Sequence, residues 1–582
     1  MKNSFLKNTL SSAVGFVIGF ILLSFSLTVI IIFSSIIMSL SSDSGKIEEN
    51  SVLKIKFDFP ITDKVNNDPF SELLKYNSSG TTMNMNLLGF LNSIDNAIDN
   101  ENVRGIILDM NNFISPGAAS SKEIRDALNN FKKSGKFIYS YSSVYSQGAY
   151  YIASVADSIF VYPTGVVSFE GISSTTTFFK NSLEEIGIKP EVIRHGKFKA
   201  AVEPFLDNKM SDENKKQVSE IISDLWSLMT KDISISRNID ISKLNEIANN
   251  MTFTLTSNEI INYGLVDAAI YPEDLDFLIS EKLGVDKNET KYISLDLLDK
   301  IYKKSKNEIA VIYAEGGIDG NKNNIHSGYT NTIKSAFDDK NVAAVVLRVN
   351  SPGGSALISD EILNQIKTSK KNKPLIVSMG NVAASGGYYI SCAADKILAS
   401  ENTITGSIGV FGLFFTAEEL LKEKMKLDFE NIKTNDFSDL GSIHRSLSNR
   451  EKILIQRSVK NTYNDFIEHV SEGRNMSLNN VDSIGQGRVW TGRAALNNGL
   501  VDSIGGIIDA IKIASQLANI DDFVLTELPR KKTGFDAIIN NIETQSKISK
   551  IGVEKFYLDE LKNKYLKMQG IQALLPIKFE IE

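Results

Sequence analysis

Residues 148–172, "GAYYIASVADSIFVYPTGVVSFEGI", and residues 386–410, "GGYYISCAADKILASENTITGSIGV", are one pattern written twice. The repetition extends on both sides. Upstream, "VRGIILDMNNFISPGAASSKEIRDALNNFKKSGKFIYSYSS" (103–143) lines up with "VAAVVLRVNSPGGSALISDEILNQIKTSKKNKPLIVSMGNV" (342–382). Downstream, "NYGLVDAAI" (262–270) matches "NNGLVDSIG" (497–505). The offset stays between 235 and 239 residues, so a unit of roughly 230 residues has been duplicated once. A period that long excludes a solenoid of short repeats. Within each copy, β-branched runs such as "GIILDM" and "AAVVLRVN" alternate with helical patterns such as "SKEIRDALNNFKKSG". That alternation predicts α/β units with parallel strands and right-handed crossovers.

The join between copies falls in the Lys-rich stretch "DKIYKKSK" (299–306), because "NEIAVIYAEGGI" (307–318) restarts what "NSVLKIKFDFPI" (50–61) began. The expected organisation is residues 1–45 as a cytoplasmic tip and membrane anchor, 46–300 and 301–530 as the two copies, and 531–582 as a helical extension. The anchor is read from residues 13–40, which carry no charge and exceed the ~20 apolar residues a bilayer span needs. Their apolar core is longer than that of a removable signal, and no small-residue cleavage site follows it. Lys2 and Lys7 precede the segment and Asp43, Glu48 and Glu49 follow it. The positive-inside rule then puts the N-terminus in the cytoplasm and the two copies on the extracytoplasmic side. A net charge of -7 argues against nucleic acid as a partner, and four scattered histidines with one cysteine, Cys392, argue against a dedicated metal site.

Chemistry enters where the copies differ. In "NVAASGGYYIS" (381–391), Ser385 stands where a strand turns into a helix; its counterpart in the first copy is Gln147. A serine there is either a nucleophile beside free backbone N–H groups or a helix cap. The turn "NSPGGS" (350–355) can aim further N–H groups at the same place. Conversely, "RHGKFKAAVEPF" (194–205) in the first copy holds two lysines that "IKTNDFSDLGSI" (432–443) lacks. A lysine acts as a base only when uncharged, which at pH 7 needs at least ~4–5 kcal/mol of environmental bias. "FKAAV" is apolar on both sides of Lys199, whereas Lys197 beside a glycine reads as solvent-facing. His195, four residues from Lys199, is a rival base. Cys392 reads as core packing.

Together "GKFKAAVEPF", "VNSPGGS", "AASGGYYIS" and "TGSIGV", in this order after an N-terminal anchor, resemble the long form of the bacterial signal peptide peptidase A family. The resemblance covers the chain from the anchor to about residue 530. It implies tandem Clp-protease/crotonase-like domains and a serine endopeptidase acting through a Ser–Lys dyad, without metal or cofactor. It further implies Ser385 as nucleophile, Lys199 as general base, Ser407 as the residue orienting the lysine, and Gly354 and Gly386 as the oxyanion hole. Remnant signal peptides would be the substrates, and a homotetramer on the outer face of the cytoplasmic membrane the assembly. Asn381 and His195 depart from the family pattern. The alternatives are a non-catalytic, membrane-anchored peptide-binding scaffold and a CoA-thioester enzyme of the same fold, the latter at odds with the anchor.

Overall fold

The computed structural model describes residues 15, 16, 18–20, 22–24, 26, 47–64, 85–299, 305–321, 324–370, 373–529 and 570–575. The expected anchor at 13–40 lies for the most part outside them. Among the described residues no helix is long and apolar enough to cross a membrane.

The duplication is plain in three dimensions. The first copy forms a six-stranded, all-parallel sheet, β6-β4-β3-β2-β1-β7, from β1 (Ser51–Lys56), β2 (Val103–Asp109), β3 (Phe137–Tyr145), β4 (Ser158–Val167), β6 (Ala268–Ala269) and β7 (Lys291–Ile293). The second copy repeats that parallel order as β16-β12-β11-β9-β8-β17, from β8 (Glu308–Glu315), β9 (Val342–Ser351), β11 (Leu375–Ala384), β12 (Lys396–Ala399), β16 (Ser503–Ile504) and β17 (Val524–Leu528), and adds β13 (Ile404–Gly406) parallel to β11 and β15 (Val489–Thr491) antiparallel to β13. Apolar runs such as "AAVVLRV" are buried on both faces, as parallel strands under helices must be.

The polar fastenings repeat as well. Asp157 and Asp395 accept from the backbone N–H of Ile138 and Leu375, each at 2.8 Å. Tyr150 and Tyr388 donate from their hydroxyls to the carbonyls of Leu265 (2.9 Å) and Leu500 (2.8 Å). Each copy also carries one 26-residue helix, Asp212–Arg237 and Asn449–Arg474, capped by a serine and ended by an asparagine in the left-handed conformation.

The copies share one interior. The largest apolar cluster combines Leu53, Ile106 and Leu128 with Ile309, Val346 and Ile507. Fully buried Arg348 on β9 bridges the copies, donating to Asp63 at 2.8 Å and Glu123 at 2.7 Å. Glu123 in turn accepts from the backbone of Ile507. Asn381, the departure noted in the sequence, also joins the copies. Its side-chain oxygen accepts from the N–H groups of Ala119 and Ser120, and its amide donates to the Pro116 carbonyl.

One sheet belongs to neither copy alone. It runs β10-β18-β14-β5. From the first copy, β5 (Lys189–His195) pairs antiparallel with β14 (Val410–Thr416) of the second over seven residues. Between β14 and β10 (Gly353–Ser355) lies β18 (Gly570–Leu574). Most of the helical extension expected over 531–582 is outside the described residues, and the part described is this strand. "GIQAL" is short and β-compatible, and it pairs the otherwise bare edges of β10 and β14.

Candidate active site

The mixed sheet carries a first-copy lysine into the second copy. β5 delivers the chain to the turn "GKFKA". There Phe198 donates its N–H to Gln486 at 2.9 Å, and Gly196, at φ +105°, leaves no room for a Cβ against the Gln486 carbonyl. Lys197 points to solvent. Lys199 turns inward and has no exposed surface. Its stem lies against Gly487 and Gly409: a Cβ on Gly487 would sit 2.7 Å from the lysine Cβ, and one on Gly409 3.2 Å from its Cδ. Gln217, on the helix Asp212–Arg237, fixes the approach by donating to the Phe198 carbonyl.

The Lys199 Nζ lies 2.7 Å from Ser385 Oγ, 3.0 Å from Ser407 Oγ and 3.1 Å from the Ser407 carbonyl oxygen. All three side chains are fully buried. Burial, with no carboxylate opposing it among the described residues, pushes the Lys199 amine well below the usual lysine range. The amine is therefore held toward its uncharged form, in bonding reach of two hydroxyls.

Ser385 is no helix cap. The helix Gly386–Ser391 begins immediately after it, yet its hydroxyl bonds no N–H of that helix. Its backbone sits at φ +56°, ψ -114°, a region a non-glycine residue occupies only when its surroundings impose it. Two bonds do so: Ser385 N–H donates to the Gly406 carbonyl and Tyr389 N–H to the Ser385 carbonyl, each at 2.8 Å. Ser407 is likewise left-handed, at φ +52°, and donates its N–H to Arg488. Neither conformation has a signature in sequence.

The Gly353–Gly354 turn closes on the amide following the serine. A Cβ on Gly353 would lie 2.6 Å from the Gly386 nitrogen. Gly354 sits at φ +152° in β10, and a Cβ there would collide with the Ile318 carbonyl. The Gly353–Gly354 turn thus packs against the Gly386 amide that follows Ser385. The six-residue helix is too short for its dipole to matter much, so the local donors are the amides themselves. Gly387 packs the helix onto β9, where a Cβ would come 2.6 Å from the Ser351 carbonyl.

The first copy shows the same scaffold emptied of chemistry. Gln147 closes its amide onto the following loop, donating to the Gly171 carbonyl and accepting from the N–H groups of Glu170 and Gly171. His195, the rival base, ends β5 with its ring 4.2 Å from that of Tyr463, while Ser385 is engaged by Lys199. Burial lowers the His195 pKa. Cys392 is buried, its thiol pushed up to about 12, and its sulfur bonds the Tyr389 carbonyl.

The comparisons with known proteins agree with this duplicated scaffold. The family described as Peptidase family S49 matches twice, at residues 130–282 and 367–521. Protease 4 of Salmonella typhi is 34% identical over 479 residues, covering 80% of this chain and 77% of that protein. The chloroplastic serine protease SPPA of Arabidopsis thaliana is 32% identical over 482 residues, covering 79% of this chain and 70% of that one. Among solved structures, a membrane-bound stomatin-specific protease aligns at 16% identity with a TM-score of 0.27, covering 42% of this chain and 100% of that chain. Matched by the family in both copies and by relatives above 30% identity over more than two thirds of their length, the chain belongs to peptidase family S49.

Proposed function

We propose that the chain is a membrane-anchored serine endopeptidase in which Ser385 is the nucleophile and uncharged Lys199 the general base. The observation that carries this reading is the 2.7 Å contact between a buried amine and the buried hydroxyl of a serine whose backbone is strained. In the forward step the Ser385 proton passes to Lys199 Nζ, and the freed oxygen attacks the carbonyl carbon of a bound peptide. The N–H groups of Gly354 and Gly386 receive the negative charge on the carbonyl oxygen. Ser407 then has two oxygens facing the new ammonium, its hydroxyl and its carbonyl. Lys199 returns the proton to the departing amine as the C–N bond breaks. Water, deprotonated by the same lysine, releases the acyl group from Ser385.

Cleaved signal peptides fit as substrates because they are apolar in their middles. Residues 13–40 would hold the enzyme in the cytoplasmic membrane, with both copies on the outer side, as the homotetramer the family resemblance implies. Labelling with a fluorophosphonate probe tests the reading. The wild type should be labelled, Ser385→Ala should not, and Ser407→Ala should be labelled more slowly. A wild-type chain that takes no label favours the non-catalytic scaffold.

A further inference from the structure

The groove beside Ser385 is already filled by the chain itself. Strand β18 lies antiparallel between β10 and β14, with Gly354 opposite Ala573 and Phe411 opposite Gln572. A point one bond from the Gly353 Cα lies 2.2 Å from the Ala573 carbonyl oxygen and 2.6 Å from the Gly386 nitrogen. The Ala573 carbonyl therefore lies against the Gly353–Gly354 turn, on the side that faces the Gly386 amide. The Ala573 side chain has no exposed surface. The next two residues fall into apolar surroundings supplied by both copies: Leu574 packs beside Val202, Phe205 and Phe411, and Leu575 beside Ile221, Leu225 and Val489. Leu575 donates its N–H to the Pro352 carbonyl at 2.7 Å, extending the ladder past the strand.

Strand addition between two sheet edges, with alternate side chains in pockets, is how peptide grooves hold extended ligands. We propose that residues 571–575 are a built-in, substrate-like occupant of the peptide groove, which must leave before another peptide can bind. Building on the peptidase reading, Ala573 marks the residue on the acyl side of the scissile bond. The position admits only a small side chain, with apolar residues favoured just after it. Ser385 has no solvent exposure with the strand in place, as such an occupant requires.

The test uses the full chain carrying Ser385→Ala, so that no chemistry intervenes, and a fluorescein-labelled peptide of sequence GIQALL. A tethered segment acts at an effective concentration on the order of millimolar, so it competes strongly with a free peptide. Adding Ala573→Arg puts a charge where the groove is closed to water and expels the strand. Adding Ala573→Pro removes a ladder N–H and serves as the second variant should the first fail to fold. Either should tighten peptide binding about tenfold or more by fluorescence polarisation. Equal or weaker binding in both overturns the proposal. Fluorophosphonate labelling of Ser385-intact chains separates the two readings. Tighter peptide binding without any labelling would keep the occupant and remove the peptidase. Labelling with unchanged peptide binding would do the reverse.

Discussion

At the scale of single residues, the account rests on an amine whose burial no charge among the described residues compensates. A base whose folded pKa is depressed binds fewer protons when folded than when unfolded, so it destabilises the fold below the unfolded value near 10.4. As pH rises toward that value the difference vanishes. Lys199→Met keeps the length of the side chain and cannot titrate. It should therefore raise the urea midpoint at pH 7, by an amount that shrinks steadily as pH approaches 10. A lysine charged in the fold, or one fully exposed, would give no such slope. Ser407→Ala removes one of two Ser407 oxygens facing the Nζ. With the carbonyl still in place, a loss of roughly ten- to a hundredfold in kcat is expected, smaller than the 10²–10⁴ range for removing a general base outright. The chemical types at this site were readable in sequence, because one copy held a serine and the other a lysine. The left-handed backbones of Ser385 and Ser407 were not, since no residue type announces them.

At the scale of elements, the helix Gly386–Ser391 is what aims the serine, and it can do so only while packed close to β9. The first copy has Ala149 where the second has Gly387, so the sequence itself supplies the test substitution. Gly387→Ala places a methyl group 2.6 Å from the Ser351 carbonyl. The helix must retreat, and a shift on the order of 1 Å at a reacting atom loses about 10²-fold in rate. Peptide hydrolysis should fall by about that factor, with a thermal midpoint a few degrees lower in calorimetry. The parallel sheets were legible from their β-branched runs. The pairing of β5 with β14 was not, because it joins strands from different copies across more than 200 residues of chain. Nor was β18: an amphipathic, charged tail reads as helix, and only the two bare edges on either side of "GIQAL" make it a strand.

At the scale of the whole molecule, the two copies of one fold are unequal halves of the proposed site. What locks them is the buried Arg348 with Asp63 and Glu123. Arg348→Met would leave two carboxylates buried without their cation, a change that typically costs about 3–5 kcal/mol. The deficit should be greatest at high pH and shrink in acid, where Glu123, already raised by burial, takes up a proton. Urea unfolding at pH 5 and pH 8 reads both the size and the sign. The central claim is that the first copy supplies the base for the second copy's serine, and the pH profile of peptide hydrolysis tests it most directly, compared among wild type, Lys199→Ala and His195→Ala. The account predicts a wild type active at pH 7, with a limb falling on the acid side as Lys199 becomes charged. His195→Ala should keep that limb and most of the rate, whereas Lys199→Ala should be inactive throughout. A Lys199→Ala chain that retains the wild-type rate and its acid limb, alongside an inactive His195→Ala, would contradict it.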